Sequence, residues 1–379
     1  MTESELPELL PTEPISPPQA TVEFPLEWLL DHASGPLQYR SLVDVAQLPG
    51  VDSGSVDALP LAHAGALTIA MTQSRLGTWN DSMLGVPAAT AKHFSGIGTI
   101  SAVRRLLEYG WDRDSPPLVQ ARRTLFRLLA EDDDPGFLFE LGGKHAKDED
   151  RVHRGRTILR EAAAAALAQA GYEGDPRLRG AAKRIIHRVD EFMRSPLAEK
   201  PFMRSGNRHV LAPDAAPPSI YVLTMLAHMP LIRSEHHTQV DRLFTHLSMP
   251  MPRQESVQMI GSHIIVQPQL VLGDPLPHRN AADADVPFSL FWLETMARLG
   301  FLKRHDGWSK LFDRFLDDRN RERVWHPHKG MEPPVTTHPW VWSTYPLEVP
   351  DAPGESVWTD ITFRLGLIAR LSGHPIELV

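Results

Sequence analysis

Apolar residues recur every three or four positions along several stretches of the chain, and most of these stretches come in pairs. Ile100, Val103, Leu106 and Leu107 form one run that stops at Gly110. A turn follows, Asp114 and Ser115 offer helix caps, and Pro116 and Pro117 open a second run through Leu118, Ala121, Leu125 and Leu128. The spacing predicts a helix, a short turn and a helix. The same pairing recurs from Tyr221 and from Phe291, and in looser form around Gly171. Earlier, Leu26 to Gly50 reads as a short helix, a Gly-Pro break and a second helix, and the run from Val56 to Met71 supplies the next one. The residues closing the first helix of each pair, Gly50, Gly110, Gly171, Met229, Gly300 and Gly373, recur at roughly sixty to seventy residues, a period of repeated helical hairpins.

The two helices of a pair differ in kind. The one before the mark is apolar nearly all round, as around Tyr221, Phe291 and Phe363, whereas the one after it carries a charged face. Buried helices inside amphipathic ones predict an all-α fold, an (α/α)6 toroid spanning residues 25–379 as a single domain. Residues 1–24, acidic and rich in proline, read as a flexible tail. Arg104, Arg105 and Glu108 lie in a helix of the inner kind, and they fit it only by lining a polar central cavity. Links between pairs are long, among them Gln73 to Thr99, Ser195 to Pro218, Pro250 to Pro287 and Asn320 to Val357. With antiparallel pairs they emerge at one rim, where repeat proteins carry their working loops.

Composition narrows the chemistry. The 379 residues contain no cysteine, which removes disulfides, thiolate zinc sites and cysteine nucleophiles. The formal charge of −8 offers no basic field for nucleic acid. No apolar run reaches the roughly 20 residues of a bilayer span, and the N-terminus lacks the basic start and apolar core of a secretory signal. These features predict a cytoplasmic protein with neither a membrane span nor a nucleic-acid partner.

After the helix ending near Met71 comes Gln73-Ser-Arg-Leu-Gly-Thr-Trp79, which resembles the Gln-x(2–5)-Gly-x-Trp turn of squalene and other terpenoid cyclases. Asp133-Asp-Pro-Gly-Phe137 resembles a degraded copy. Ser356 to Arg364, and Glu27-Trp-Leu-Leu with Tyr39-Arg-Ser-Leu, resemble segments of bacterial proteins of squalene cyclase-like or prenyltransferase-like type. The likeness covers most of the chain as a repeat pattern, with the full motif matched once. It implies an apolar, isoprenoid-type ligand in a central cavity. The turn itself is a helix-end clasp: an amide to cap carbonyls, a glycine to bend, and a tryptophan to stack on the helix end. The family's catalytic Asp-x-Asp-Asp is approached only by Glu131-Asp-Asp-Asp134, at the end of an outer helix, and its Asp-Asp-x-x-Asp magnesium motif is missing after Asp317-Asp318. Zinc-dependent relatives of this type use cysteine, which the chain lacks. The sequence therefore names no cofactor.

The richest link, Arg323 to Asp360, concentrates Trp325, Trp340, Trp342, Tyr345 and Trp358 with His326, His328 and His338. It holds four of the chain's nine tryptophans, an aromatic wall suited to hydrocarbons, sugars or cations. His326-x-His328 can place two imidazoles on one metal ion only with an extended backbone and a third ligand from elsewhere, such as His209, His263 or Asp81. Asp360 and Arg364, one turn apart, can pair on the last inner helix. Candidate catalytic residues are therefore Asp360 and Asp81; candidate ligand-binding residues are Trp79, His209, His263, Trp325, His326, His328, Trp340, Trp342, Tyr345, Trp358 and Arg364. No metal site is assigned. Three readings stay open. The first, an enzyme or binder for an apolar ligand, requires a deep apolar funnel with acids at its floor. The second is a binding or scaffolding protein without a reaction. The third is a carbohydrate-active enzyme, which requires two carboxylates about 5 to 10 Å apart, with Asp81, Asp360 and Glu294 as candidates.

Overall fold

The computed structural model describes residues 20–51, 53–88, 91–130, 148–252, 254–327, 333–348 and 354–379. Strand β1 (Val22–Phe24) leads into α1 (Leu26–His32) and α2 (Gly35–Arg40), which continues as a wider π-helical segment, Ser41–Ala46. Next come α3 (Ala64–Met71), α4 (Thr99–Glu108), α5 (Pro116–Leu128), α6 (Glu149–Gln169) and α7 (Pro176–Arg194). Then follow β2 (Phe202–Ser205), β3 (Arg208–Leu211), α8 (Ile220–Ala227), α9 (His237–Leu247), β4 (Val257–Ile260) and β5 (His263–Val266). The chain finishes with α10 (Val286–Arg298), α11 (Asp306–Asp317), α12 (Thr359–Leu371) and β6 (Ile376–Leu378).

Four of the inner helices stop by one device. At Gly110, Gly171, Gly300 and Gly373 the backbone turns to positive φ, and the next residue's N–H reaches back into the helix, as Trp111 N does to Leu106 O at 3.0 Å and Phe301 N to Met296 O at 2.8 Å. These 6→1 bonds satisfy carbonyls that a helix end otherwise leaves open, and they need a residue without a Cβ. Gly50 does not work this way: the first helical segment ends earlier, at Gln47, itself left-handed at φ 52°. The run expected as one helix from Val56 to Met71 is broken, with short turns at Ser53–Val56 and Ala58–Leu61 before α3.

The buried helices touch in chain order: α4 with α6, α6 with α8, α8 with α10, and α10 with α12, which packs on the π segment near the N-terminus. Ala162 to Ala166 and Ala168 of α6 are all buried, and such small side chains let α8 lie close along it. Strand β1 pairs in parallel with β6, Val22 opposite Ile376, so the two ends of the described chain meet.

The all-α expectation, and with it the (α/α)6 toroid, is overturned by the strands. The fold is mostly helical with two small sheets, one a four-stranded mixed sheet in the order β2-β3-β4-β5. Its strands occupy links read as loops. Gly206-Asn207 and Gly261-Ser262 each turn a two-residue antiparallel hairpin with glycine, at positive φ, in first place, and β3 then pairs in parallel with β4 at Leu211 and Gln258. Buried Gln258 locks that junction by donating from Nε2 to the carbonyls of Ala212 at 3.0 Å and Ala215 at 2.7 Å.

Candidate functional site

A cavity of about 170 Å³ lies at the N-terminal ends of α4 and α8. Leu84, Val86, Ile100, Pro268, Pro339 and Trp340 make most of its wall apolar, and Ser101, Arg104, Tyr221, Gln269 and Ser343 contribute polar groups. Arg104 is only 3% exposed. Its Nε donates to Gln169 Oε1 at 3.0 Å, and its Nη groups make no hydrogen bond or ion pair to any described residue. Burial pushes this guanidinium below the usual arginine range, against the pull of Glu108, Tyr221 and Glu294.

Behind Arg104 the middle of the molecule is charged. Arg364 of α12 donates to Glu294 of α10 at 2.5 Å, to Glu108 of α4 at 2.8 Å and to the Thr344 carbonyl at 2.7 Å. Glu108 also accepts from Arg40 at 2.5 Å and from Gln169 at 2.7 Å, and Glu294 accepts from Arg298 Nη2 at 2.9 Å. Burial alone would raise both carboxyls, but Arg40 and Arg364 around Glu108, and Arg364 and Arg298 around Glu294, hold both below the usual carboxylate range. They are thus ionised at neutral pH and offer no proton. The centre is closed by ion pairs where the cyclase reading requires an apolar funnel. Arg104, Arg105 and Glu108, the charges that stood out in an inner helix, are all buried in this region.

Asp360 is buried and accepts from the backbone N–H groups of Leu347 and Glu348, both at 2.9 Å to Oδ2, so it clasps the loop before α12. It makes no ion pair with Arg364. Burial raises it; burial and then Asp360 raise the neighbouring Glu348 to about 7. Asp81 is exposed. Trp79 is fully buried; its indole donates to Ile69 O at 2.6 Å and closes the end of α3, while Gln73 donates to Gly77 O at 3.2 Å and Pro117 O at 2.8 Å. The Gln-Gly-Trp turn is a clasp between α3 and α5, with the tryptophan capping the helix and the glutamine bridging to the next one.

The aromatic link divides into separate groups. Trp325 and His326 lie against Trp358, at 6.4 and 5.6 Å between ring centroids. Trp342 sits under the Arg105 guanidinium at 4.8 Å, and Arg105 Nη1 donates to Trp342 O at 2.7 Å. The Tyr345 hydroxyl donates to Pro334 O at 2.7 Å. Of the candidates, only Trp340 lines the Arg104 cavity. His209 on β3 and His263 on β5 are exposed on the mixed sheet. His328, the acidic run 131–134, the degraded clasp at 133–137 and residues 1–19 of the tail lie outside the described residues.

Among the described residues, no group of three or more His, Asp or Glu is placed to hold a metal ion, and no helix is long and apolar enough to cross a membrane. No family model matches the chain, and no match is found among curated proteins or solved structures.

Proposed function

We propose that this is a binding protein, without a reaction of its own, for a small molecule that carries one anionic group on an apolar body and sits in the Arg104 cavity. The observation that carries this reading is Arg104: a buried guanidinium without a carboxylate in ion-pair reach among the described residues. A charge taken out of water without a counter-charge is costly, and a ligand carboxylate supplies both the charge and two acceptors for the Nη groups. The apolar wall of Ile100, Leu84, Val86 and Trp340 suits a hydrocarbon body. At about 170 Å³ the space lies below the roughly 300–1,000 Å³ of drug-sized sites, so the ligand is small. This keeps the expectation of an apolar small-molecule ligand in a cytoplasmic protein. It departs from terpenoid cyclisation, because the central carboxylates are ionised and salt-bridged. It departs from glycoside chemistry because Asp360 is spent on backbone N–H groups and Glu294 on arginines.

The test is calorimetric titration with straight and branched carboxylates of about four to eight carbons, alongside their primary amides. The acids should bind and the amides should not, and Arg104→Met should abolish binding. Equal binding of acid and amide, or binding that survives Arg104→Met, would remove the reading.

A further inference from the structure

We propose that a second cavity, at the opposite ends of α4 and α8, is a site for an uncharged polyhydroxylated ligand of monosaccharide size. This cavity, about 310 Å³, opens where α4, α6, α8 and α10 finish, at Gly110, Ala170, His228 and Arg298. It is separate from the Arg104 cavity and does not depend on the reading given to it.

The charges around it cancel. Three arginines and three carboxylates line it, and four of these six already answer a charge: Arg40 Nε bonds Asp44 at 2.8 Å and its Nη1 bonds Glu108 at 2.5 Å, while Arg298 is held on Glu294. An anion or a cation entering here would compete with those pairs, and a zwitterion would compete with both signs at once.

What stays open is neutral hydrogen-bonding capacity. His228 Nδ1 lies 2.9 Å from Thr224 O, which makes Nδ1 the donor and leaves Nε2 an acceptor. Burial, and then Arg298, lower this imidazole to about 4, so it stays uncharged at neutral pH. The Tyr39 hydroxyl has no hydrogen-bond partner among the described residues. Its ring is held against Gly110, which has φ 88° and where any Cβ would fall 2.5 Å from the ring. Hydroxyl groups both donate and accept. One can give its proton to His228 Nε2 or to the Asp44 oxygen not taken by Arg40, and accept from Tyr39 or Arg298. No ligand of fixed charge matches this mixed set as well.

The experiment is saturation-transfer difference NMR on the full chain with D-glucose and myo-inositol as probes, and betaine and inorganic phosphate as controls. At least one polyol should give a signal that neither control suppresses. Tyr39→Phe and His228→Phe should each weaken it about tenfold, the size of one or two lost hydrogen bonds. Should His228→Phe fail to fold, Tyr39→Phe, which keeps the ring, decides alone. Silence from both polyols, a signal unchanged in the variants, or displacement by betaine or phosphate would overturn the proposal.

Discussion

Arg104 and Glu108, one turn apart on α4, hold opposite atoms of the same Gln169 amide: Arg104 Nε donates to Oε1 at 3.0 Å and Nε2 donates to Glu108 Oε1 at 2.7 Å. Gln169 reaches both from the last turn of α6, so one neutral side chain links the guanidinium of the first cavity to a carboxylate lining the second. Gln169→Leu keeps the size but strips both bonds, leaving one buried donor and one buried acceptor short of a partner. We expect a loss of about 2–3 kcal/mol in urea unfolding.

The ion pairs of the centre should be unequal in weight. Arg364→Met removes the only guanidinium among the described residues that bridges Glu108 to Glu294 and leaves both carboxylates buried with fewer counter-charges, for an expected loss of about 3–5 kcal/mol. The Arg40–Asp44 pair has an aspartate 35% exposed, and Asp44→Asn should cost under about 1 kcal/mol. Denaturant midpoints of the two variants measure the contrast; equal losses would count against a buried, charged centre.

Glu348 gives a pH dependence of unusual sign. Its carboxyl is raised from 4.5 to about 7 in the folded chain, by burial and then by Asp360, so folding binds a proton there. The stability it contributes is full below pH 4.5 and is lost as pH rises through about 7. Glu108 and Glu294, held low, act the other way and lose their contribution as pH falls through the carboxylate range. Glu348→Gln keeps an oxygen for Ser34 N–H and the Thr359 hydroxyl. It should leave stability near pH 5 unchanged and raise it at pH 8 by about 1–3 kcal/mol, read from melting curves at the two values. No gain at pH 8 would contradict a Glu348 carboxyl raised by burial.

At the clasp, Gly77 has φ 79°, and a Cβ there would lie 2.7 Å from the backbone of Gln120. Gly77→Ala should therefore destabilise by about 2 kcal/mol or more through strain and the displaced α5. Trp79→Phe, which loses the bond to Ile69 O but keeps most of the packing, should cost about 1–2 kcal/mol. Both are read by thermal unfolding, and the binding proposed at Arg104 should be unaffected.

Local features were legible in the chain. Helix stops at Gly110, Gly171, Gly300 and Gly373, and the proline starts of α5 and α7, depend on a few neighbouring residues and a 3.6-residue period. Even the hairpins had signals, Gly206-Asn207 and Gly261-Ser262, yet β4 and β5 gain a sheet only by meeting β3 across the intervening α8 and α9. Asp360 and Arg364 have the spacing of a pair, but Arg364 turns to Glu108 and Glu294 on other helices while Asp360 takes the backbone of the preceding loop.

By itself, then, the sequence determined where most helices begin and end and which of them are apolar enough to be buried, because those properties are set by contacts a turn or less apart. Only the tertiary structure decided that the links carry a mixed sheet, that the centre is charged, and that Arg104 has no ion-pair partner among the described residues. Each of these depends on which distant segments share the low-dielectric interior, and the cost of a buried charge is known only once its neighbours are.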